Sequence, residues 1–417
     1  MSKDNVVRIQ RPEVEDPLTN LLRTEAQELI RQAVEAELAE LLGRHADQVD
    51  GQGRPAVVRN DYLPEREIVT GVGPIPVKVP KVRSRQSEAV VFHSLLVPPY
   101  VRRTKTLDAA LPWLYLKGIA TRQMKEALQL LMGPQARGLS ASVVCQLKRQ
   151  WQGEYARWCK RRGDKDRWVY LWADGIYSGL RAEGQRLCAL VVIGVNDRGE
   201  KCFVAIEDGV RESTQSWREV LLDLKERGLK VAPELAVGDG ALGFWAALDE
   251  VYGVTRQQRC WVHKTANVLN YLPKGVQAKA KRALHEIWMA ESRDAANQAF
   301  DQFIRTYEAK YPKAVECLAK DREALLAFYD FPAEHWAHIR TTNPVESTFA
   351  TIRHRTDRTM GCVTRDMMLT MIYKLGMCAE KRWRRIRGFS SLAKVIADVK
   401  FKDGIEVTEI SDNRDAA

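Results

Sequence analysis

The sequence predicts a multidomain α/β protein, and three of its features support that fold class. Strand patterns at 167–182, 187–195 and 201–207 follow one another closely, and the Asn-Asp-Arg-Gly connection between the last two is typical of a hairpin. A further strand pattern at 233–239 is followed by a helical one, so strands and helices alternate after this meander. Residues 264–338 are almost entirely helical in pattern, and 417 residues suffice for two to four domains.

Composition limits the class of protein. Apolar residues make up 45% of the chain, and neither a signal peptide nor an apolar run of membrane-spanning length is present, so we expect a globular cytoplasmic protein. The eight cysteines are scattered without the spacing of a disulfide framework, which favours reduced thiols. The formal net charge of +11 favours a polyanionic partner, although excess basic charge is also compatible with simple solubility.

The N-terminal region divides into a helical part and a β-rich part. Residues 1–50 comprise a polar start, expected to be disordered, and an amphipathic helix at 18–45 whose apolar residues recur at helical spacing. Residues 51–105 are dense in Pro and Gly, and the short patterns at 67–82 predict a small β-rich module.

Residues 106–166 return to helical patterns and form a candidate DNA-binding region. Two helices separated by a glycine-containing turn at 133–138 suit a helix-turn-helix motif, in which the helix from Ser140 enters the major groove. Lys148 and Arg149 then lie near backbone phosphates. An ordinary helical bundle fits the same pattern, and a solvated helix face explains the basic residues equally well.

Residues 167–263, which contain the sheet, carry two carboxylates in unusual positions. Asp174 interrupts an apolar and aromatic strand pattern. A buried carboxylate pairs with a cation, binds a metal or has a raised pKa, because desolvation disfavours its charged form. Asp239 stands at the end of the short strand at 233–239. We expect the chemistry of the protein where these two strands meet.

The C-terminal part combines a helical block, a basic segment and a tail. We expect residues 264–338 to form an α-helical insertion, 339–398 a basic and largely helical stretch, and 399–417 a polar tail. A helix is predicted to begin near Pro344, a residue favoured in the first helical turn, and Glu346 falls in that turn. A glutamate there is ordinarily a capping or dipole residue, so this position alone does not indicate catalysis.

Several short motifs occur in a fixed order between residues 60 and 385. They are Val-Gly-Pro-Ile-Pro-Val-Lys-Val-Pro, Leu-Lys-Gly-Ile-Ala-Thr-Arg-Gln, Leu-Ser-Ala-Ser-Val-Val, Asp174-Gly-Ile-Tyr, Gly238-Asp239-Gly240, Gln258-Arg-Cys-Trp-Val-His263 and Thr342-Asn-Pro-Val-Glu346-Ser. Each motif alone is weakly specific, but the ordered set closely resembles the bacterial insertion-sequence transposases of the Mutator-like family. The departures, a glycine after Asp174 and a proline at 344, remove no catalytic group.

This resemblance implies a ribonuclease H-like mixed sheet interrupted by the α-helical insertion, with 167–263 and 339–398 as the two parts of one catalytic core. It also implies that Asp174, Asp239 and Glu346 form the catalytic and metal-binding triad. In-line displacement at phosphorus uses two metal ions, and carboxylate oxygens suit Mg²⁺. We therefore expect two Mg²⁺ ions, for which Mn²⁺ can substitute.

Cys260 and His263 form a Cys-x-x-His pair at the end of a predicted strand. With His335 and His338 they would supply four zinc ligands, but this long separation along the chain resembles no compact zinc module. The resemblance implies instead that Cys260, His263 and Asn343 support the active site. A contact between His263 and DNA stays open.

Basic residues after Glu346 form a second candidate DNA surface. Five of the seven residues at 381–387 are Lys or Arg. Such residues line the path of a DNA backbone, although an exposed helix face explains the same charge. The expected phosphate contacts are Arg353, Arg355, Arg358, Arg384, Arg385 and Arg387.

The resemblance implies the function of a DNA transposase. Such an enzyme binds double-stranded DNA at the terminal inverted repeats of an insertion sequence, nicks it, and joins the freed 3′-hydroxyl to another phosphodiester. Two DNA ends must be held together, which favours a homodimer. The protein is expected in the bacterial cytoplasm, and at the nucleoid when it is bound to DNA. The alternatives are a ribonuclease H-like nuclease that does not join strands and a transposase-derived DNA-binding regulator.

Overall fold

The computed structural model describes residues 16–85, 90–116, 119, 121–132, 141–179, 186–209, 211–240, 242–342, 349–350 and 364–407. The chain divides into two units, Met1–Cys145 and Gln146–Ala417. The start that we expect to be disordered lies, up to residue 15, outside the described residues, as does the end of the chain from residue 408.

A long helix opens the first unit, as the sequence predicts. Helix α1 spans Pro17–Arg44, and the Asp16 side chain caps it by accepting the backbone N–H of Leu18 at 3.1 Å. Val34 and Leu38 are its buried residues, and they pack on the β-rich module. The packing occurs because the apolar residues of α1 recur on one face.

Two small antiparallel sheets form the β-rich module, which confirms its predicted character. Strand β1 (Val57–Tyr62) pairs with β4 (Pro80–Ser84), and β2 (Arg66–Thr70) pairs with β3 (Gly73–Val77). The apolar core of this unit consists of Val34, Leu38, Ile68, Ile75, Val77, Val79, Phe92 and Val97.

Three helices follow: α2 (Lys105–Leu116), α3 (Thr121–Met132) and α4 (Ala141–Cys159). The helices of the predicted helix-turn-helix are therefore present. The turn at 133–138 and Ser140 lie outside the described residues, so the motif itself stays a prediction.

A five-stranded mixed sheet lies in the second unit, in the order β7-β6-β5-β8-β9. Strands β5, β6 and β7 form the predicted antiparallel meander, whereas β8 and β9 run parallel to β5. Since β5, β7 and β8 run in one direction, their carboxyl ends lie at one edge of the sheet. The strands span Trp168–Gly179 (β5), Arg186–Asn196 (β6), Lys201–Gly209 (β7), Leu235–Gly238 (β8) and Arg256–Arg259 (β9).

Both faces of β5 are covered. Helices α5 (Thr214–Glu226) and α6 (Leu242–Tyr252) cover the face that carries Leu171. On the opposite face, the Tyr170 hydroxyl lies 2.8 Å from Nδ1 of His335. Trp172 on the same face donates its indole N–H to a backbone carbonyl at 3.3 Å. Burial on both faces explains why the β5 sequence is almost continuously apolar.

A helical block follows β9 and confirms the predicted α-helical character of 264–338. The block begins earlier than expected, because β9 ends at Arg259 and Trp261 already starts a helix. The buried Trp261 indole donates to the Leu325 carbonyl at 2.8 Å, which ties this residue to the block. The helices are α7 (Trp261–Asn270), α8 (Lys274–Met289), α9 (Arg293–Tyr307), α10 (Pro312–Ala319), α11 (Arg322–Leu326) and α12 (Trp336–Ile339), with short 3-10 turns at Ala327–Asp330 and Ala333–His335.

The helix Arg365–Glu380 packs against β7 and the second half of α4. The ring of Tyr373 lies 5.6 Å from that of Tyr155 and 5.3 Å from that of Trp158. The aromatic residues Tyr155 and Trp158 of α4 therefore pack against this helix.

Two expectations for the C-terminal stretch were wrong. The basic run at 381–387 is not helical, because the chain turns back to the sheet and the buried Ile386 donates its N–H to the Gly199 carbonyl at 3.0 Å. The start of the expected polar tail is also folded: β10 (Phe401–Lys402) and β11 (Ile405–Glu406) form a hairpin that bonds to the helical block. A short helix, Leu392–Ile396, lies between. No helix among the described residues is long and apolar enough to cross a membrane.

Replacing Leu171 tests the central position of β5. Leu171 is 0% exposed, so Leu171→Ala removes buried methyl groups and leaves a cavity. We expect the free energy of unfolding in urea to fall by about 3 kcal/mol. Leu222→Ala, at a residue that is 44% exposed on α5, is the matched control and should change it by about 0.5 kcal/mol or less. Equal losses would contradict the core position of Leu171.

Candidate active site

Asp174 is the only charged residue of β5. It is 8% exposed, and one of its carboxylate oxygens accepts the backbone N–H of Gly175 at 2.8 Å. The strand is bonded on both edges, to Val191 of β6 at Asp174 itself and to Gly238 of β8 at Ala173. Strand pairing therefore fixes the backbone at Asp174, and the side chain is almost completely buried.

Asp239 lies beside Asp174 because of the sheet register. Ala173 pairs with Gly238 in the parallel ladder, so the next residue of each chain segment is an aspartate. Gly240 follows with a φ of 94°, a left-handed conformation that glycine adopts readily, and turns the chain toward α6. The structure thus brings Asp174 and Asp239 together at one edge of the sheet.

The electrostatics of Asp174 follow from this placement. Burial raises the pKa of Asp174 to about 7; the carboxylates of Asp239 and Glu212 also raise it, whereas His263 lowers it. A cation bound here would lower this pKa, because it stabilises the charged form of the carboxyl group.

Glu212 is a further carboxylate of this edge, and the sequence analysis missed it. Its side chain lies against Gly175, where a β-carbon would stand 2.7 Å from the Glu212 carboxyl carbon. Burial and the charge of Asp239 raise the pKa of Glu212. The signal was available: Glu212 follows the end of β7, whose carboxyl end shares an edge with those of β5 and β8.

Cys260 and His263 lie at the start of α7, beside the acidic edge. Cys260 is the residue before the helix, and its sulfur lies 3.3 Å from the Thr342 hydroxyl and accepts the Thr342 N–H at 3.3 Å. Burial opposes ionisation of this thiol, but its hydrogen bond with His263 lowers the pKa of Cys260 overall. His263 is close enough to Asp174 and Glu212 to lower both carboxyl pKa values.

Glu346 and Asn343 lie outside the described residues. The flanking residues Thr342 and Phe349 are described, and both are 0% exposed. Phe349, three residues after Glu346 in the sequence, is therefore a core residue. The roles of Glu346 and Asn343 stay predictions.

The four candidate zinc ligands are not brought together. His335 bonds through its ring nitrogens to the Tyr170 hydroxyl at 2.8 Å and to the Gly388 carbonyl at 2.9 Å. His338 accepts the Arg387 N–H at 3.0 Å. Within the part of the chain that the structure describes, no three His, Cys, Asp or Glu side chains form a group that could hold a metal.

The candidate DNA-binding residues divide by position. On α4, Lys148 is half-buried and Arg149 is exposed. Arg385 pairs with Glu200 at 3.2 Å and lies over the Phe389 ring. In the non-helical segment after Glu380, three predicted contacts are exposed: Arg384, Arg385 and Arg387. The other three predicted contacts, Arg353, Arg355 and Arg358, lie outside the described residues.

Comparison with known proteins identifies the relatives of this chain. A sequence model described as "Transposase, Mutator family" matches residues 1–385. The transposase for insertion sequence element IST2 of Acidithiobacillus ferrooxidans is 56% identical over 282 residues, which cover 68% of this chain and 95% of that protein. The transposase for element IS6120 of Mycolicibacterium smegmatis is 47% identical over 298 residues, 72% of this chain and 92% of that protein.

The mixed sheet and its edge of carboxylates define an α/β protein with an acidic site. With the family match over residues 1–385, the chain belongs to the Mutator family of transposases. The resemblance that the ordered motifs indicate is thereby confirmed. More distant relatives include the transposase for IS256 in transposon Tn4001 of Staphylococcus aureus, 28% identical over 302 residues, 71% of this chain and 74% of that protein.

The buried Asp174 predicts a pH dependence of stability in metal-free protein. The pKa of Asp174 is about 7 in the folded protein, whereas an ordinary aspartate, as in the unfolded chain, has a pKa of 3.8. At pH values between these two, the folded state binds more protons than the unfolded state. The contribution of Asp174 to the free energy of unfolding is fully present below about pH 4. It is lost as the pH rises toward and past 7, by up to about 4 kcal/mol. Asp174→Asn cannot titrate and should lack this loss.

Thermal unfolding in chelator, followed across pH, measures the effect. Asp174→Asn should unfold at a higher temperature than the unmodified protein at about pH 8, and the difference should vanish at about pH 4. Asp197→Asn, in an exposed turn, is the control and should follow the unmodified protein. A difference that is independent of pH would contradict the raised pKa of Asp174.

Proposed function

We propose that this protein is a DNA transposase that binds the terminal inverted repeats of an insertion sequence and catalyses metal-dependent strand cleavage and strand transfer. Asp174, Asp239 and Glu346 are its proposed triad. The observation that carries the proposal is the register of β5 and β8, which sets two carboxylates side by side in a member of the Mutator family.

The sheet supports a ribonuclease H-like arrangement. Three antiparallel strands are followed by two that run parallel to the first, and the first strand is central in the order β7-β6-β5-β8-β9. The helical block after β9 corresponds to the insertion that interrupts the proposed core. Residues 106–166 are the proposed end-binding region, and 167–263 with 339–398 are the proposed catalytic core.

The donor set fits two Mg²⁺ ions, with Mn²⁺ as a substitute. Asp174 and Asp239 offer hard oxygen ligands, and the raised pKa of Asp174 marks a site that favours a cation. The third proposed carboxylate, Glu346, lies outside the described residues. When bound, the ions would stabilise charge on the attacking and leaving oxygens of an in-line displacement.

The protein's own residues position this chemistry. Thr342, fixed on Cys260 by two contacts of 3.3 Å, precedes Glu346 by four residues. We assign Cys260, His263 and Asn343 the role of supporting the acidic side chains. His263 adds an imidazole within electrostatic reach of Asp174, where it can donate to an anionic group.

DNA binding is proposed from charge. The chain has a formal net charge of +11, and phosphate contacts account for most sequence-independent affinity. Transposition requires that two ends be held at once, so we propose a homodimer. The proposed contacts with the backbone are Lys148, Arg149, Arg353, Arg355, Arg358, Arg384, Arg385 and Arg387.

The triad is tested by changes that keep side-chain volume and remove charge. Asp174→Asn, Asp239→Asn and Glu346→Gln should each reduce nicking and joining of labelled element ends in Mg²⁺ by several orders of magnitude, because transition-state stabilisation by the metal site is lost. Binding of the ends in a gel-shift assay should be retained. The three losses should not add, since the residues act as one site.

Asp197→Asn is the matched control and should nick at the unmodified rate. Any triad variant that nicks near that rate would exclude its residue as a metal ligand. If the unmodified protein nicks but never joins strands, the protein is a nuclease. If it binds ends without cutting them, it is a DNA-binding regulator.

The basic segment after Glu380 is tested by the salt dependence of DNA binding. Changing Arg384, Arg385 and Arg387 together to Ala should weaken binding to all sequences alike. The slope of log affinity against log salt should become shallower by roughly 0.9 for each phosphate that the variant no longer neutralises. Fluorescence anisotropy at several salt concentrations measures this slope.

A control with equal charge removal separates direct phosphate binding from net charge. Lys310, Lys313 and Lys320 are exposed in the helical block, and their joint change to Ala removes the same charge. We expect this control to leave the slope unchanged. An unchanged slope in the arginine variant would mean that those residues are only solvated.

A further inference from the structure

Arg259, the last residue of β9, is buried beside the turn that carries Asp239. The residue is 7% exposed. Its guanidinium group packs against Gly240, and a β-carbon at Gly240 would overlap that group. Gly240 has a φ of 94°, a left-handed conformation that glycine adopts readily, and its lack of a β-carbon leaves the room that Arg259 fills.

Asp321 of the helical block holds this guanidinium group. One Nη of Arg259 lies 3.2 Å from the Asp321 carboxylate. The same carboxylate pairs with Lys264 of α7, whose ammonium group also donates to the Cys317 carbonyl at 2.8 Å. Lys264 is 1% exposed. Two buried cations therefore share Asp321, and Arg259 supplies the atoms that lie nearest to the place of a β-carbon at Gly240.

The bonding of Arg259 is incomplete among the described residues. Its Nε is buried and has no hydrogen-bond partner there. Burying such a donor is unfavourable, and a strand end could carry an apolar residue at lower cost. The guanidinium group contacts both the turn at Gly240 and Asp321 of the helical block, and an apolar residue could not join the two in this way.

We propose that Arg259 is a positioning residue for the Asp239 carboxylate, an inference that rests on the proposed function. The guanidinium group supports the turn at Gly240, and Asp321 fixes the guanidinium group from the helical block. The helical block thereby sets where the Asp239 carboxylate lies relative to Asp174. Metal affinity depends on such supporting contacts, because they hold the ligand oxygens in place.

The test measures binding of Mn²⁺ to the full chain through the electron paramagnetic resonance signal of the free ion. Arg259→Met should weaken Mn²⁺ binding roughly tenfold or more. Lys264→Met is the matched control, because it removes the other cation on Asp321 without a change at Gly240. Both variants should unfold at a lower temperature, but only Arg259→Met should lose Mn²⁺ affinity.

Two further variants keep the proposal testable if Arg259→Met does not fold. Arg259→Lys keeps the charge and loses the planar group, and Asp321→Asn keeps Arg259 and loosens its anchor. Each should weaken Mn²⁺ binding by less than Arg259→Met, while end binding in a gel shift is unchanged. Unmodified Mn²⁺ affinity in these variants, or an equal loss in Lys264→Met, would overturn the proposal.

Asp239→Asn separates this inference from the function on which it rests. If Asp239→Asn binds Mn²⁺ as the unmodified protein does, Asp239 is not a metal ligand and the proposed function fails with the inference. If Asp239→Asn loses affinity and Arg259→Met does not, only the positioning role of Arg259 is wrong.

Discussion

The burial of one carboxylate in the central strand is the constraint on which the rest of the site depends. Asp174 is bonded into the sheet through neighbours on both edges, and both faces of β5 are covered. The cost of its charge cannot be relieved by solvent, so its pKa rises to about 7. A second carboxylate, Asp239, directly after the adjacent strand increases that cost. Such an arrangement is stable at neutral pH only with protonation or a nearby cation.

Two glycines let other charged groups approach this edge. Gly175 leaves room for the Glu212 side chain from the side of α5, and Gly240 leaves room for the guanidinium group of Arg259 from β9. In each case a side chain on the glycine would occupy the place of the charged group. The site therefore depends on absent β-carbons next to both aspartates as much as on the aspartates themselves.

The features that could be predicted from the sequence are those that depend on local residue patterns. Apolar periodicity predicts the meander, the helical block and the strands that lead to Asp174 and Asp239. The approach of these two aspartates was therefore predictable. Contacts between distant segments were not. Glu212 stands in a polar loop, and only its position after β7, at the edge shared with β5 and β8, could have indicated it. The segment after Glu380 has a helical pattern, but Ile386 bonds to Gly199. A tertiary hydrogen bond overrides helical propensity there, and no local signal announces it.

The helical block begins and ends beside the sheet. Its two ends are joined at the base of the block, where the chain leaves the end of β9 and later returns to it. The backbone N–H of Trp261 donates to the Arg340 carbonyl at 3.1 Å, and the Cys260 sulfur lies 3.3 Å from the Thr342 hydroxyl. These bonds close the block next to the end of β9. The free energy of closing a loop grows only slowly with its length, so the size of the block adds little to the cost of holding Thr342 beside Cys260.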